Sequence, residues 1–247
     1  MTVLGRARVA AQKIGLEVNR RNELTSSDKR IVSILKDRNI DLVLDVGANN
    51  GLYARMVLEG GYENSVISVE PLPSAWNILK RKSQSASSRW IIAPRQALCD
   101  KEGEVELRES ANSVSSSMLD VLKAHLDAEP ATKQIAKHNV PCSTVDILLR
   151  EYSQFGNAYL KIDVQGAEMS VLRGARNSMM NKIRFIQVEM SLEPLYKGQA
   201  LHRDLIDYLD REGFELYDII PGFRDRSTWR LQQYDGIFIK KDAPQAA

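Results

Sequence analysis

Leu42-Val43-Leu44-Asp45-Val46-Gly47-Ala48-Asn49-Asn50-Gly51 decides the fold. Leu42 to Val46 is too short and too β-branched for a helix, so it predicts a buried strand. The strand stops at a carboxylate, turns through glycine, and gives way to a helix near Asn50. Gly47 and Gly51 let the backbone turn tightly and come close to a ligand. In an open α/β sheet, ligands sit outside the carboxyl ends of the strands, where this turn falls. The next apolar run, Ser65-Val66-Ile67-Ser68-Val69, ends at Glu70. A carboxylate at the tip of the second strand suits a ribose diol and weighs against a ligand-free turn.

Two details separate this loop from a nicotinamide site. Its glycines follow Gly-x-x-x-Gly and not Gly-x-Gly-x-x-Gly, so the glycine for close helix packing is missing. Asp45 also stands where a pyrophosphate would approach, and a carboxylate there repels a diphosphate. S-adenosylmethionine carries a sulfonium and an ammonium and no phosphate, so its sign fits. Charge-assisted hydrogen bonds are worth roughly 1.5–3 kcal/mol each, enough to select between the two.

The totals narrow the class. The 247 residues carry 34 basic and 32 acidic side chains, a net charge of +2, which is no footprint for nucleic acid. The 43% hydrophobic and 27% charged shares are those of an ordinary globular protein with a substantial core. Cys99 and Cys142 are far apart and lack metal-type spacing, so both are expected reduced and buried in a cytoplasmic protein. No apolar run reaches the roughly 20 residues of a membrane span. Arg6, Arg8 and Lys13 sit in a first segment without a continuous apolar core, which argues against a cleaved signal peptide. A peripheral membrane contact through that basic arm stays open, as does a homodimer.

Along the chain, residues 1–40 form a helical arm, with Thr25 to Asp28 as capping candidates and Ile31, Ile34 and Leu35 on one face. This helix is expected across the sheet edge or over the cofactor end. The main domain spans residues 41–241. Trp90 to Ala93 is a third strand, and Ala97-Leu98-Cys99-Asp100 reaches the cofactor edge. Asp100 there either accepts from an adenine amine or is only a turn residue before Gly103. Gly103 to Glu109 alternates as a half-buried strand. Residues 110–139 read as a mobile insertion or lid with a helix near Leu119 to Leu126. Residues 242–247 read as a disordered tail. The last two strands, Phe214 to Tyr217 and Gly236 to Ile239, flank a segment too short for a crossover helix and should pair antiparallel. An α/β fold with a mostly parallel sheet and an antiparallel C-terminal hairpin is, by fold-level analogy, that of class I (Rossmann-like) methyltransferases.

A second stretch repeats the first. Lys161-Ile162-Asp163-Val164-Gln165-Gly166-Ala167-Glu168 again ends a strand in a carboxylate before glycine and a helix, and Phe185 to Glu189 is another strand with a terminal acid. Together with Asp45 to Gly51, Glu70-Pro71, Val171-Leu172-Gly174-Ala175 and Val188-Glu189, this block resembles the FkbM family of S-adenosylmethionine-dependent methyltransferases over about residues 40–240. The resemblance implies O-methylation of hydroxyls on sugars, glycolipids, polysaccharides or polyketides. It also implies that Asp45, Gly47, Asn49, Gly51 and Glu70 bind cofactor and that Asp163 lies at the methyl-transfer end.

Methyl transfer is an in-line displacement, and holding its geometry supplies roughly 7–11 kcal/mol. An aliphatic hydroxyl needs a base or a metal to take its proton. Asp163 and Glu189 converge if their strands are adjacent. One is then a base, or both hold Mg²⁺, or Glu189 merely partners an arginine. Glu168 fits a helix-terminus stabiliser better than chemistry. His125 and His138 in the insertion and His202 near a helix start are expected at the surface. No Asn-Pro-Pro-Tyr or Asp-Pro-Pro-Tyr motif is present, against a nucleic-acid methyltransferase. Besides a sugar O-methyltransferase, an enzyme for non-sugar natural products and a non-catalytic scaffold in glycan assembly remain open.

Overall fold

The computed structural model describes residues 3–18 and 21–241, so the tail expected at 242–247 lies outside the described residues. The strand at the centre of the reading is β1, Leu42–Val46. It pairs in parallel with β2, Ser65–Val69, and on its other side with β7, Ala158–Ile162. Outside β2 lies β3, Trp90–Ile92, and outside β7 lies β8, Ile183–Ser191, both also parallel. β9, Phe214–Pro221, and β10, Gln233–Lys240, form the antiparallel hairpin, with β10 between β8 and β9. The order β3-β2-β1-β7-β8-β10-β9 puts the topological switch between β1 and β7. That is where an α/β sheet opens a ligand crevice.

Every position of β1 and β7 is buried, which is why both read as continuous apolar runs. Alternate side chains serve opposite faces. Leu42, Leu44, Val46, Leu160 and Ile162 face one core, shared with Val171, Leu172 and Leu205. Val171 and Leu172 come from α7, Glu168–Arg173, and Leu205 from α9, His202–Arg211. Val43, Tyr159 and Phe185 face the other core. There they meet α2, Ser27–Asp37, and α3, Leu52–Glu59, through Ile31, Leu35, Ala54 and Val57. Each buried aliphatic side chain stabilises by about 1.5–3 kcal/mol.

The helix α2 is capped by Ser26, which accepts from the Lys29 N–H, and it buries Ile31, Val32, Ile34 and Leu35. It packs on the sheet face and pins β9 through Arg30 and Asp218, and it does not cover the cofactor end.

Residues 110–139 differ most from expectation. β5, Gly103–Ser110, pairs antiparallel with β6, Gln134–Ser143, and β4, Ala97–Leu98, adds in parallel, giving a second sheet. The helix between them runs Lys123–Ala128. Most of β6 before Val140 is exposed or only partly covered, so no apolar alternation announced a strand. The ladder to β5 carries it. Cys99 and Cys142, expected as separate reduced thiols, are brought together beside the β4–β6 pairing as a disulfide with Cα atoms 6.4 Å apart. A separation of 43 residues concealed that pairing.

Candidate active site

The carboxyl ends of β1, β2 and β7 border a cleft of about 550 Å³ including its open mouth. Its first wall is the turn after β1. Gly47 has φ 82°, and a Cβ there would collide with the backbone carbonyl of Asp163. Gly51 has φ 79°, and its Cβ would strike the Trp90 ring. Only glycine meets both demands. The Gly47 and Ala48 N–H groups donate to Val69 O, each at 3.0 Å, which ties the turn to β2. Asn49 is left-handed at φ 45°, and its N–H donates to Glu70 Oε2 at 2.7 Å.

Glu70 also accepts the Leu72 N–H on Oε1 at 2.7 Å. Burial pushes its pKa up to about 7, against those two backbone donors. Each oxygen takes one N–H and retains acceptor capacity toward the cleft, as a ribose diol requires. The remaining lining mixes apolar Val69, Leu98, Leu107, Val114 and Met118 with polar Gln96 and Ser116. A flat purine fits such a lining. The donor set and the walls therefore suit an adenosyl group.

Three sequence-derived cofactor residues lie off the cleft lining: Gly51, packed against Trp90 and Leu79, together with Asp45 and Asp100. Asp45 is 1% exposed, inside the sheet and not on the cleft, and accepts from Ser68 Oγ at 3.3 Å. Burial raises its pKa to about 6, opposed by the charge of Lys161. The exposed Asp100 accepts from Ser170 Oγ at 3.3 Å and gives its N–H to the same oxygen at 3.1 Å, away from the cleft.

The opposite wall is the turn after β7. Asp163 Oδ2 accepts from Lys161 Nζ at 2.8 Å, and Oδ1 accepts from Gln165 Nε2 at 2.7 Å. The same Gln165 nitrogen donates to Glu189 Oε2 at 2.7 Å. Gln233 Nε2 donates to that oxygen too, at 2.7 Å. The two acids are thus brought to one amide; Asp163 lines the cleft and Glu189 stands behind that lining, and its partners are glutamines, not the arginine of one open reading. Burial, then the charges of Asp163, Asp235 and Glu168, hold the Glu189 carboxyl well above the usual range, against Lys161. Burial works against the charge of Lys161, but Asp163, Asp235 and Asp45 around it raise its pKa. Glu168, the first residue of its helix, accepts the Val164 and Gly166 N–H groups of the preceding turn at 3.2 and 3.0 Å.

The histidines are distributed differently from expectation. His125 is buried edge-on to Tyr196, with ring centroids 5.2 Å apart, and burial lowers its pKa to about 4. His138 pairs with Glu109 at 2.7 Å, and His202 Nδ1 lies 3.3 Å from the Tyr234 hydroxyl. None of the three lines the cleft. Among the described residues no group of three or more His, Cys, Asp or Glu is placed to hold a metal ion. Asp163 and Glu189 are already engaged by an ammonium and two amides, which leaves their donor set a poor fit for Mg²⁺.

Sequence reasoning assigned no role to Lys161, Gln165, Tyr196 or Gln233. Lys161 and Gln165 stood inside the quoted block, and a polar residue on either side of a strand-terminal acid was the available signal. Tyr196 and Gln233 lie on other elements and gave none.

Residues 45–216 match the family described as Methyltransferase FkbM domain. The 2-O-methyltransferase NoeI of Sinorhizobium fredii is 27% identical over 199 residues, covering 78% of this chain and 79% of that protein. Methyltransferase sdnD of Sordaria araneosa is 23% identical over 220 residues, covering 81% of each. The crystal structure of magnesium protoporphyrin IX methyltransferase from Synechocystis superposes with a TM-score of 0.45 at 10% identity, covering 96% of this chain and 92% of that one. That likeness is too distant to carry a functional argument. No helix among the described residues is long and apolar enough to cross a membrane.

Proposed function

The chain belongs to the FkbM methyltransferase family, and from that membership we propose that it moves a methyl group from S-adenosylmethionine to a hydroxyl of a sugar. The observation that carries the reading is the meeting of Asp163 and Glu189 on one amide beside a cleft whose far wall is Glu70. A hydroxyl is a weak nucleophile, and a positioned carboxylate that takes its proton is worth roughly 10²–10⁴ in rate. The similarity to a protein described as a 2-O-methyltransferase supports oxygen as the acceptor atom.

The chain's residues divide the work between two walls. Glu70 and the turn from Gly47 to Gly51 bind the adenosyl end of the donor, whose sulfonium supplies the electrophilic methyl. Lys161 holds Asp163 at the opposite wall. The pair Asp163 and Glu189 orients the acceptor hydroxyl, and one of the two removes its proton. The apolar side chains of Val114 and Met118 keep water from the space between.

Labelled methyl transfer tests the proposal on a panel of monosaccharide glycosides, glycolipids and non-sugar alcohols. Turnover on sugars that disappears in Glu189→Gln, with binding of S-adenosylhomocysteine retained, is expected. Turnover confined to non-sugar alcohols would replace the sugar assignment. Binding without turnover on any acceptor would leave a scaffold.

A further inference from the structure

Gln165 is the most heavily constrained polar side chain in the site. Its backbone is left-handed at φ 57°, a conformation a non-glycine residue holds at a cost. Ser117 Oγ donates to its carbonyl at 2.6 Å, and the Tyr196 hydroxyl donates to its Oε1 at 2.9 Å. Its Nε2 has two hydrogens, and both are spent, one on Asp163 and one on Glu189. The amide can sit only this way round, because the flipped form would turn a carbonyl oxygen on two carboxylates.

The oxygens of the two acids are not equally engaged. Both oxygens of Asp163 hold a donor, Lys161 on one and Gln165 on the other. On Glu189 both donors, Gln165 and Gln233, converge on Oε2. Among the described residues no donor reaches Glu189 Oε1. Glu189 is partly exposed, and Oε1 is not among the fully buried side-chain atoms without a partner, although Glu189 itself stands behind the residues that line the cleft. A carboxylate fixed by two donors on one oxygen presents its other oxygen in one direction.

We infer that Gln165 is a positioning residue that clamps Asp163 to Glu189 and leaves Glu189 Oε1, not Asp163, as the atom that takes the acceptor's proton. This rests on the reading that a hydroxyl is methylated. The acceptor O–H bond breaks and its proton goes to Oε1. The oxygen's electron pair forms the new bond to the methyl carbon while the S–CH₃ bond breaks, leaving a neutral thioether. Asp163, paired with Lys161 at 2.8 Å, is the nearest charge that favours proton uptake by Glu189. The charged and titratable groups facing Glu189 are Asp163, Asp235, Glu168, Lys161 and Tyr196.

The test reads protonation without needing an acceptor. Infrared difference spectra of the full chain with S-adenosylhomocysteine, across about pH 5 to 9, report carboxylic C=O stretches. A band titrating well above the ordinary glutamate range is expected, absent in Glu189→Gln and present in Asp163→Asn. Gln165→Leu removes a donor to the charged form, so the midpoint should rise by about one pH unit or more. Tyr196→Phe, which only loosens the clamp, should move it the same way by less, and guards against a poorly folded Gln165→Leu. A band lost in Asp163→Asn and kept in Glu189→Gln would overturn the inference. So would a midpoint unmoved in both Gln165→Leu and Tyr196→Phe. With the band as expected but no sugar methylated, the sugar reading fails and the clamp stands. With a sugar methylated, the ascending limb of kcat/KM should move with the same midpoints in each variant, and a limb that ignores them would also overturn it.

Discussion

Two turns of the same local design line the cleft and do different things. Near the end of β1 and just after β7 the chain passes an acid, and each turn then holds a left-handed glycine and a left-handed non-glycine residue before a helix. Asn49 and Gly47 fill those places in the first turn, Gln165 and Gly166 in the second. The strands differ in register. Asp45 lies opposite Lys161 and Val46 opposite Ile162, so Asp163 reaches one pleat repeat further than Asp45. Asp45 therefore stays in the sheet with Ser68, whereas Asp163 enters the cleft. The first turn presents backbone and borrows its carboxylate, Glu70, from the next strand. The second presents its own acid and couples it through Gln165 to Glu189. Similar sequence patterns thus give one turn that borrows its acid from the next strand and one that carries its own, offset by two residues of register.

Substituting the two glycines should separate the turns most sharply. Gly47→Ala meets fixed backbone at Asp163 on top of its left-handed φ, and should cost about 3 kcal/mol or more of stability by thermal or denaturant unfolding. Next, Glu189→Gln should lower turnover about 100-fold or more while Asp45→Asn stays within about tenfold, in steady-state kinetics at saturating donor. Equal losses would erase the division between walls. Gly166→Ala shares the left-handed backbone, at φ 100°, but meets Tyr196 and Leu119 side-chain atoms at 3.1–3.2 Å in place of a backbone carbonyl, so its cost should be smaller than that of Gly47→Ala, about 1–2 kcal/mol.

The smallest effect concerns pH. Burial raises Glu168 to about 7, so the native state binds that proton more tightly than the unfolded chain. Its contribution to stability is complete below the ordinary value of 4.5, declines as pH rises to about 7, and is flat above. Glu168→Gln keeps an acceptor for the two N–H groups and avoids the buried charge. It should flatten that part of the stability profile and gain about 1 kcal/mol near neutrality. Melting temperatures across the window would check the sign, and a variant less stable at pH 8 than at pH 5 by as much as the parent would contradict it.

The parallel strands and the hairpin were legible because β1 and β7 are dense apolar runs followed by glycine, β8 is a dense apolar run, and residues 222–232 leave no room for a crossover helix; the order of the strands was not. Glu70 was legible as a strand-tip acid. Asp45 and Asp100 were misplaced because register and side-chain direction are set between strands, and a single chain does not spell them out. Of β6 only Val140 to Ser143 reads as extended, and the part before it went unread because most of it faces water, so its pairing with β5 leaves no hydrophobic trace. Gln165 was visible as a letter, but its role depends on Tyr196 and Glu189 arriving from other elements.

Calorimetry on the first wall tests the account most directly. S-adenosylhomocysteine titrated into the folded chain should give saturable heat, NADH should give none, and Glu70→Ala should weaken binding by about 10–100-fold, the loss of one or two charge-assisted hydrogen bonds. Heat from NADH with silence from S-adenosylhomocysteine, or an unaltered affinity in Glu70→Ala, would contradict it.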